Sequence, residues 1–478
     1  MEIPKTLKHI HFLGIGGVAT GNLACALAGR GIRITGSDKA VYEPMRSVLE
    51  KAGIEVLSFH PAHAQNLTPD VVLIGNVISR TNPEVQAWLQ GRTPFLSFPE
   101  ALRLWIIGDK NSILCAGTHG KTTTTSWVSF LLKQSGLRPS YFIGGVPFDL
   151  PTSCVEEEDS TYFVGEADEY DSSFFDKGPK FLHYNPRYVI LSAVELDHTD
   201  IYRDIEHVES AFEKLLALIP GNGHCLVRHE DARALRISKL SLGPVETFGV
   251  SPHATWQIAD IKEARNGFHF SVLYRGRPFL QTQSPLLGMH NLCNLLSGIA
   301  LGHVLGLSTS TLASLVPQFR GVVRRQQILL DKGIVLIDDF AHHPTEVAAT
   351  LVAVRARFGS GHRLWALFEP RSATARTNTH QDLYPDAFAA ADVICLKEPS
   401  VPTHVAGSAP VRSGFSTEKL AHDLQKQTKE AHVFRDTSAL IEHVLSNAKN
   451  SDVIVVMSNG DFDKIQVSLL EKLPHCST

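Results

Sequence analysis

Long hydrophobic runs are what this 478-residue chain most plainly lacks. No stretch of about 18 consecutive apolar residues occurs, so no segment has the length of a membrane span. The N-terminal MEIPKTLKHIHFLGIGG has too short an apolar run for a secretory signal and passes straight into a glycine turn. Cysteine is sparse as well: seven residues, at 25, 115, 154, 225, 293, 395 and 476, none with CxxC spacing. That excludes a sequence-signalled zinc site or redox pair and fits a reducing compartment. The closing HCST puts Cys476 one place too late for prenylation. A basic excess is also missing, since the formal net charge is -4 and no basic run appears, which argues against nucleic acid as a partner. There is no low-complexity segment and no repeat of solenoid period. These absences predict a cytosolic protein with neither membrane nor nucleic-acid partner; they leave the oligomeric state open.

What remains is an ordinary globular composition, 43% hydrophobic and 20% charged. At roughly 100–200 residues per domain the length suggests two to four domains. Short apolar runs alternate with helical stretches, the pattern of βαβ units and parallel sheets. Strands are expected at His9–Leu13, Ile32–Thr35, Val71–Ile74, Ser112–Ala116, Thr161–Val164, Tyr188–Ala193, Ile334–Ile337, Leu364–Phe368, Val393–Leu396 and Val453–Met457, and helices at Gly21–Ala28 and Thr123–Gln134, with Gly136 as a stop. A turn-prone break at Gly108–Asn111 and a hinge-like PQFRGVVRRQ segment divide the chain into three α/β domains, at residues 1–108, 109–321 and 322–478.

Two glycine loops follow strands. The first, GIGGVATG, offers Gly14, Gly16, Gly17 and Gly21, with Asp38 ending the next strand. Glycines there permit a tight turn and close approach of a diphosphate to a helix N-terminus. In a dinucleotide-binding domain the acid would hold a ribose hydroxyl, so an NAD-dependent oxidoreductase is one reading; any nucleotide diphosphate, or a purely structural turn, would use the same geometry. The second loop, Gly117-Thr118-His119-Gly120-Lys121-Thr122, has a lysine to reach β- and γ-phosphates and a threonine to ligate Mg²⁺. Backbone amides of Thr118 to Lys121 would cradle the phosphates. The first glycine of the generic phosphate loop is replaced by Cys115, leaving a compact GTxGKT form. Two such loops argue for a nucleotide-linked substrate on one domain and ATP on another.

Acidic and histidine groups gather near strand ends. GEADEYD packs Glu166, Asp168, Glu169 and Asp171, with Glu166 nearest the strand; LDHTD supplies Asp197, His198 and Asp200. Any one acid could be a solvated loop charge, but two clusters beside the phosphate loop favour a magnesium site. IDDFAHHPTE gives Asp338, Asp339, His342 and His343, with Pro344 placed to open a helix. For the histidine pair a zinc site would need a third ligand that no spacing provides, so contact with a nucleotide is the better reading. FEPRSATART supplies Arg371 and Arg376, whose forks suit carboxylate recognition or simply a solvated surface.

Taken in order, GIGG…GSD, AGTHGKTTTT, EADEYD, ELDHTD, GMHNLCN, FRGVVRR, DDFAHHPTE and EPRSATART resemble the Mur ligase family, from about residue 9 to residue 463. The resemblance implies a Rossmann-like N-terminal domain, a P-loop ATPase-like central domain and a Rossmann-like C-terminal domain. It implies an ATP-dependent ligase that joins an amine to a UDP-muramoyl carboxylate through an acyl phosphate, releasing ADP and phosphate. Two kinds of member are near: one adds L-alanine to UDP-N-acetylmuramate, and one attaches the recycled tripeptide L-alanyl-γ-D-glutamyl-meso-diaminopimelate to the same acceptor. IGGVP, EADEYDSSFFDKGPKFLHYNPR, the three-residue gap between Gly17 and Gly21, and FEPRS resemble the second kind; Gly16 and Asp461 resemble the first.

By the same resemblance, Gly14, Gly16, Gly17, Ser37 and Asp38 would hold the UDP part. Gly117, Thr118, His119, Gly120, Lys121, Thr122, Thr123, Asn294, Arg325, Asp338 and His342 would bind ATP. Lys121, Glu166 and His198 would be catalytic, with Thr122, Glu166 and His198 as ligands of two Mg²⁺ ions. Arg371 and Arg376 would receive the peptide's carboxylates. Glu213 falls near the place where some relatives carry a carbamylated lysine, and a native carboxylate could serve there.

Overall fold

In the computed structural model, which describes residues 6–42, 45–264, 267–399 and 414–473, the expected alternation of strand and helix is present along the chain. Cys476 lies outside the described residues. The chain packs as two compact units. One comprises residues up to Gly117 with Thr124–Ala193 and Glu209–Thr247; the other comprises Thr118–Thr123, Val194–Val208 and Phe248 onward.

The first unit holds a parallel five-stranded sheet of β1 (His9–Leu13), β2 (Arg33–Asp38), β3 (Glu55–Ser58), β4 (Val71–Ile74) and β5 (Phe95–Ser97), in the order β3-β2-β1-β4-β5. β1 and β4 are buried at every position, as befits interior parallel strands covered on both faces. The strand order reverses at β1, whose C-terminal end carries the first glycine loop, the place where open α/β sheets bind ligands. β2 runs through Gly36 and Ser37 and ends at Asp38, the acid expected at its end. Gly36 is needed there because a Cβ would lie 2.7 Å from Ile15 Cβ.

The same unit contains β6 (Asn111–Ala116), β7 (Ser140–Phe142), β8 (Cys154–Val155), β9 (Tyr162–Ala167), β10 (Pro186–Leu191) and β11 (His224–Arg228). β11, β10, β6, β9 and β7 run parallel in that order, with β8 antiparallel to β7. The second unit takes up the end of β12 (Val245–Gly249), parallel to β13 (Trp256–Ala264), and an antiparallel meander of β13, β14 (Gly267–Tyr274) and β15 (Arg277–Ser284).

The second unit also carries β16 (Gln327–Lys332), β17 (Ile334–Asp339), β18 (Leu364–Phe368), β19 (Val393–Lys397), β20 (Glu430–Phe434) and β21 (Val453–Met457) in the order β16-β17-β21-β18-β19-β20. All are parallel except the edge strand β16. Alternate residues feed two cores, one on each face: Val335, Ile337, Ala366, Phe368 and Val455 on one side, and Leu336, Trp365, Leu367, Ile454 and Val456 on the other. The strand backbones therefore cannot slip by one residue without inverting both faces.

Two helices begin earlier than expected, at Val18 and at Lys121, so Lys121 and Thr122 are helical and not part of the loop. The reason is Gly120, whose φ of 82° completes the turn one residue before the lysine. β10 ends at Leu191, short of the expected Ala193. Among the described residues no helix is long and apolar enough to cross a membrane.

Candidate functional site

In the first unit the loop after β1 is built from backbone and one carboxylate. Gly14, at φ 84°, donates its amide to the Ser37 carbonyl (2.8 Å), and Thr20 Oγ1 donates to the Gly14 carbonyl (2.6 Å). Gly16 donates to Asp38 Oδ2 at 2.8 Å, so the acid expected to meet a ribose also closes the loop. Gly17 caps the helix Val18–Ala28 without a side-chain hydrogen bond, leaving the first-turn amides open to an anion. Ser37 is fully buried beneath this loop.

Glu166 is the penultimate residue of β9, in register with Cys115 of β6, one strand over from the start of the phosphate loop. It is buried and accepts the Gly144 amide through Oε1 at 2.5 Å. Its neighbours in the acidic run are matched by lysines: Asp168 by Lys180 (3.2 Å) and Asp171 by Lys177 (2.9 Å). Burial pushes the Cys115 thiol up to about 12, so the residue replacing the generic first glycine is an inert core thiol. Glu213, on the helix Ile205–Ala217, is half-buried.

The second unit collects the rest. Thr118 Oγ1 accepts the Glu195 amide (2.9 Å) and donates to the Glu195 carbonyl (3.1 Å), tying the phosphate loop to the segment that carries His198. Gly120 packs on Asn294 of the helix Met289–Val304; a Cβ there would sit 2.8 Å from Asn294 Oδ1, on a residue already at positive φ. Gly120→Ala is expected to cost about 1–2 kcal/mol of stability and to weaken nucleotide binding, checked by the denaturation midpoint and by titration with ATP. Thr122 and Thr123 are buried in the first turn after it.

His119 lies between two carboxylates, 3.1 Å from Glu346 Oε1 and 3.3 Å from Glu195 Oε2. Burial alone would lower its pKa; the Glu346 charge and the hydrogen bonds the ring donates to both carboxylates reverse that and raise it to about 10, so the imidazolium persists at neutral pH. His343 stacks near it at 4.7 Å between ring centroids and is driven the other way, first by burial and then by the His119 charge. Its Nδ1 accepts the Thr345 amide at 3.3 Å as the N-cap of the helix Pro344–Phe358, and Pro344 takes the first helical position as expected. Glu346 returns the cap by accepting the His343 amide at 3.5 Å, and it also accepts the His342 amide at 3.2 Å. Thr345 Oγ1 donates to Glu195 Oε2 at 2.7 Å.

His198 sits at φ 52°, an uncommon left-handed position for a non-glycine residue. Asp197 is opposed by burial yet held well below the usual carboxylate range by His198 and His342. His342 lies 3.7 Å from Asp197 Oδ2 and 3.3 Å from Glu346 Oε2. The two adjacent histidines thus face different partners. What sequence spacing did not supply is the convergence of His119 and Glu195 on His343, with ligand atoms all within 4.8 Å of one another. Glu195 and Glu346 were missed because their partners are 76 and 227 residues away; only the PTE helix-start pattern hinted at Glu346.

Arg325 lies over the Phe340 ring at 4.6 Å, whereas its neighbour Arg324 donates to Asp338 Oδ2 at 3.1 Å. Asp338 also accepts from Gln466 at 3.0 Å, and burial raises its pKa against the pull of Arg324. Asp339 is turned inward, accepting the Gln326 and Ala341 amides (both 2.7 Å). Arg371 pairs with the exposed Asp461, so the residue expected to grip a peptide carboxylate is matched here by a carboxylate of the chain itself. Arg376 keeps a shielded Nε with no hydrogen-bond partner.

Comparison with known proteins accounts for this arrangement. The chain matches three family descriptions in succession: "Mur ligase family, catalytic domain" over residues 9–108, "Mur ligase middle domain" over 115–302, and "Mur ligase, glutamate ligase domain" over 324–460. It is 36% identical, over 97% of its length and 98% of the relative's, to the UDP-N-acetylmuramate–L-alanyl-γ-D-glutamyl-meso-2,6-diaminoheptandioate ligase of Escherichia coli strain K12. It is 32% identical, over 97% of its length and 95% of the relative's, to the UDP-N-acetylmuramate–L-alanine ligase of Acetivibrio thermocellus. Among solved structures, a murein peptide ligase from Psychrobacter arcticus 273-4 is similar with a TM-score of 0.71 and 30% identity, covering 98% of each chain. With a phosphate loop, two flanking carboxylate segments and a three-part α/β architecture all in the family's order, this chain belongs to the Mur ligases.

Proposed function

We propose that this chain uses ATP to join L-alanyl-γ-D-glutamyl-meso-diaminopimelate to UDP-N-acetylmuramate, in recycling of the murein peptide. The observation that carries the choice of amine is the 36% identity, over nearly the whole of both chains, to a ligase named for that peptide. Addition of L-alanine alone is the second reading, supported by the 32% identity to an alanine ligase and by Asp461.

In this scheme the muramoyl carboxylate attacks the γ-phosphorus of ATP, ADP leaves, and an acyl phosphate forms. The amine of the incoming alanyl residue then attacks the acyl carbon; it gives up a proton, and phosphate leaves with the carbon–oxygen bond. Carboxylate and triphosphate repel each other, so the first step needs positive charge at the meeting point. Lys121 supplies such a charge; the imidazolium of His119 is already matched by Glu195 and Glu346, and its role is to hold the phosphate loop in place. The donor set of Thr122 hydroxyl, Glu166 carboxylate and His198 imidazole is chemically suited to Mg²⁺, which takes one or two carboxylates plus substrate phosphates. We assign these three residues to two ions, which when bound would neutralise charge spreading over the phosphoryl oxygens. Gly117 to Thr123 cradle the phosphates; Asn294, Arg325, Asp338 and His342 orient the nucleotide.

The loop Gly14–Gly17, with Ser37 and Asp38 beneath it, takes the UDP diphosphate on the open helix N-terminus. Asp38→Ala frees the Gly16 amide and loosens that loop. It is expected to raise KM for the UDP substrate about 10-fold, the loss of one charge-assisted hydrogen bond, with kcat nearly unchanged, as steady-state kinetics would show. Arg371 and Arg376 receive the peptide carboxylates, Arg371 exchanging Asp461 for the substrate.

The test is product formation from ATP, Mg²⁺ and UDP-N-acetylmuramate with tripeptide or L-alanine as the amine, read by mass. Tripeptide addition with little alanine addition is expected. Turnover of L-alanine in preference to tripeptide would overturn the recycling role, and hydride transfer to NAD with no ligation would overturn the reaction class.

A further inference from the structure

A second group of convergent ligands lies in the first unit and shares no residue with those assigned above to catalysis or ATP. His11 on β1 directs Nε2 at Glu84 Oε1 (2.9 Å), and His63 directs Nδ1 at the same oxygen (3.0 Å). His11 and Glu84 are fully buried, while the His63 side chain is 17% exposed and gives the group an opening to solvent. The three donor atoms all lie within 4.8 Å of one another.

We infer that His11, His63 and Glu84 form a binding site for a single zinc-like divalent cation. Two imidazoles and one carboxylate are the donor set that a borderline-soft ion prefers, with a fourth position left for water. Donors around tetrahedral zinc stand about 3.3 Å apart, so the two spacings to Glu84, 2.9 and 3.0 Å, need to open by only a few tenths of an ångström. The surroundings are those of a supported ligand set. The other nitrogen of His11, Nδ1, is 2.8 Å from Thr35 Oγ1, which fixes the ring's orientation. Glu84 Oε2 accepts the His60 amide at 3.0 Å, holding the second carboxylate oxygen back from the ion. The carboxylate itself is fixed by its place in the first turn of the helix Pro83–Gln90, where Asn82 caps the Glu84 amide at 2.9 Å. A buried carboxylate calls for a cation or for charged hydrogen-bond donors; among the described residues Glu84 is approached by imidazoles, an indole, an amide and the Ser37 hydroxyl, and it forms no ion pair with a lysine or arginine.

The ligands come from a strand, a short helix turn and a helix start, so the ion would staple three separate segments of this unit together. Binding would stabilise the folded unit by linkage.

The experiment is a count of zinc retained per chain after chelator treatment, reloading with Zn²⁺ alone and gel filtration. It uses the full-length protein, His63→Ala and Glu84→Gln. His63 is the partly exposed ligand, and glutamine keeps the size and much of the hydrogen bonding of Glu84, so each variant guards against loss of fold in the other. The expected result is that each folded variant holds one equivalent less than wild type. Wild-type stoichiometry in either folded variant, or no zinc retained by wild type, would overturn the site. Binding at the separate groups His119–Glu195–His343 and Glu430–His432–His443 would be common to all three proteins and cancels in the difference.

Discussion

Lys121→Ala is expected to lower kcat by about 10³-fold while leaving the melting temperature nearly unchanged. The lysine opens the helix Lys121–Gln134, and its Nζ lies within 3.5 Å of the Thr118 carbonyl, folded back over the loop it serves. That posture places a positive charge over the space enclosed by the loop amides. Removing it leaves the geometry of the loop, which is set by Gly117, Gly120 and the Thr118–Glu195 hydrogen bonds, in place. The loss should therefore fall on the step in which charge develops and only weakly on nucleotide affinity. Phosphate release under saturating substrates measures the first quantity and ATP titration the second. A fall in affinity with kcat preserved would show that the lysine serves ground-state binding alone.

The second large effect belongs to Glu346. Glu346→Ala removes the carboxylate that meets the His119 ring and accepts the His342 amide. It leaves a buried imidazolium with one carboxylate where it had two and deletes one arm of a helix cap. About 3–5 kcal/mol of stability is at stake, with a further contribution of about 1 kcal/mol from the cap. The pH dependence gives a separate signature. The pKa of His119 is raised from an unfolded value of about 6.5 to about 10. The stability this provides is fully present below the unfolded value and is lost as pH rises through the folded one. Wild-type stability should thus decline between about pH 7 and pH 10, and in Glu346→Gln, where the fixed charge is gone but the shape is kept, the decline should be shallower. Urea midpoints at the two ends of that range, for both proteins, decide it. Identical slopes would mean that His119 is not held as a cation by this pair.

The parts of the molecule readable in advance were those written in local pattern. β1, β4, β18 and β21 were legible to the residue because continuous apolar runs bounded by turns leave little freedom. The glycine loops were legible because only glycine tolerates the backbone at Gly14, Gly117 and Gly120. The start of the helix at Lys121 was placed late, since the run of threonines reads as loop chemistry until the turn at Gly120 is seen. Long-range pairings were not legible. Glu195 and Glu346 carry the charge balance of the phosphate loop, yet no spacing connects them to His119. Within the acid cluster Glu166 was singled out by its place at the strand end, but no local pattern showed that Lys177 and Lys180 pair with Asp171 and Asp168. Asp461, noted as a feature of the alanine-adding kind, turns out to partner Arg371, a link between residues 90 positions apart.

The most direct test follows the oxygen atoms. UDP-N-acetylmuramate with both oxygens of its lactoyl carboxylate isotopically heavy is turned over with ATP and the tripeptide, and the released phosphate is weighed. Passage through an acyl phosphate predicts that one heavy oxygen moves from the carboxylate into phosphate with each amide bond formed. Amide formation accompanied by phosphate of ordinary mass would contradict it.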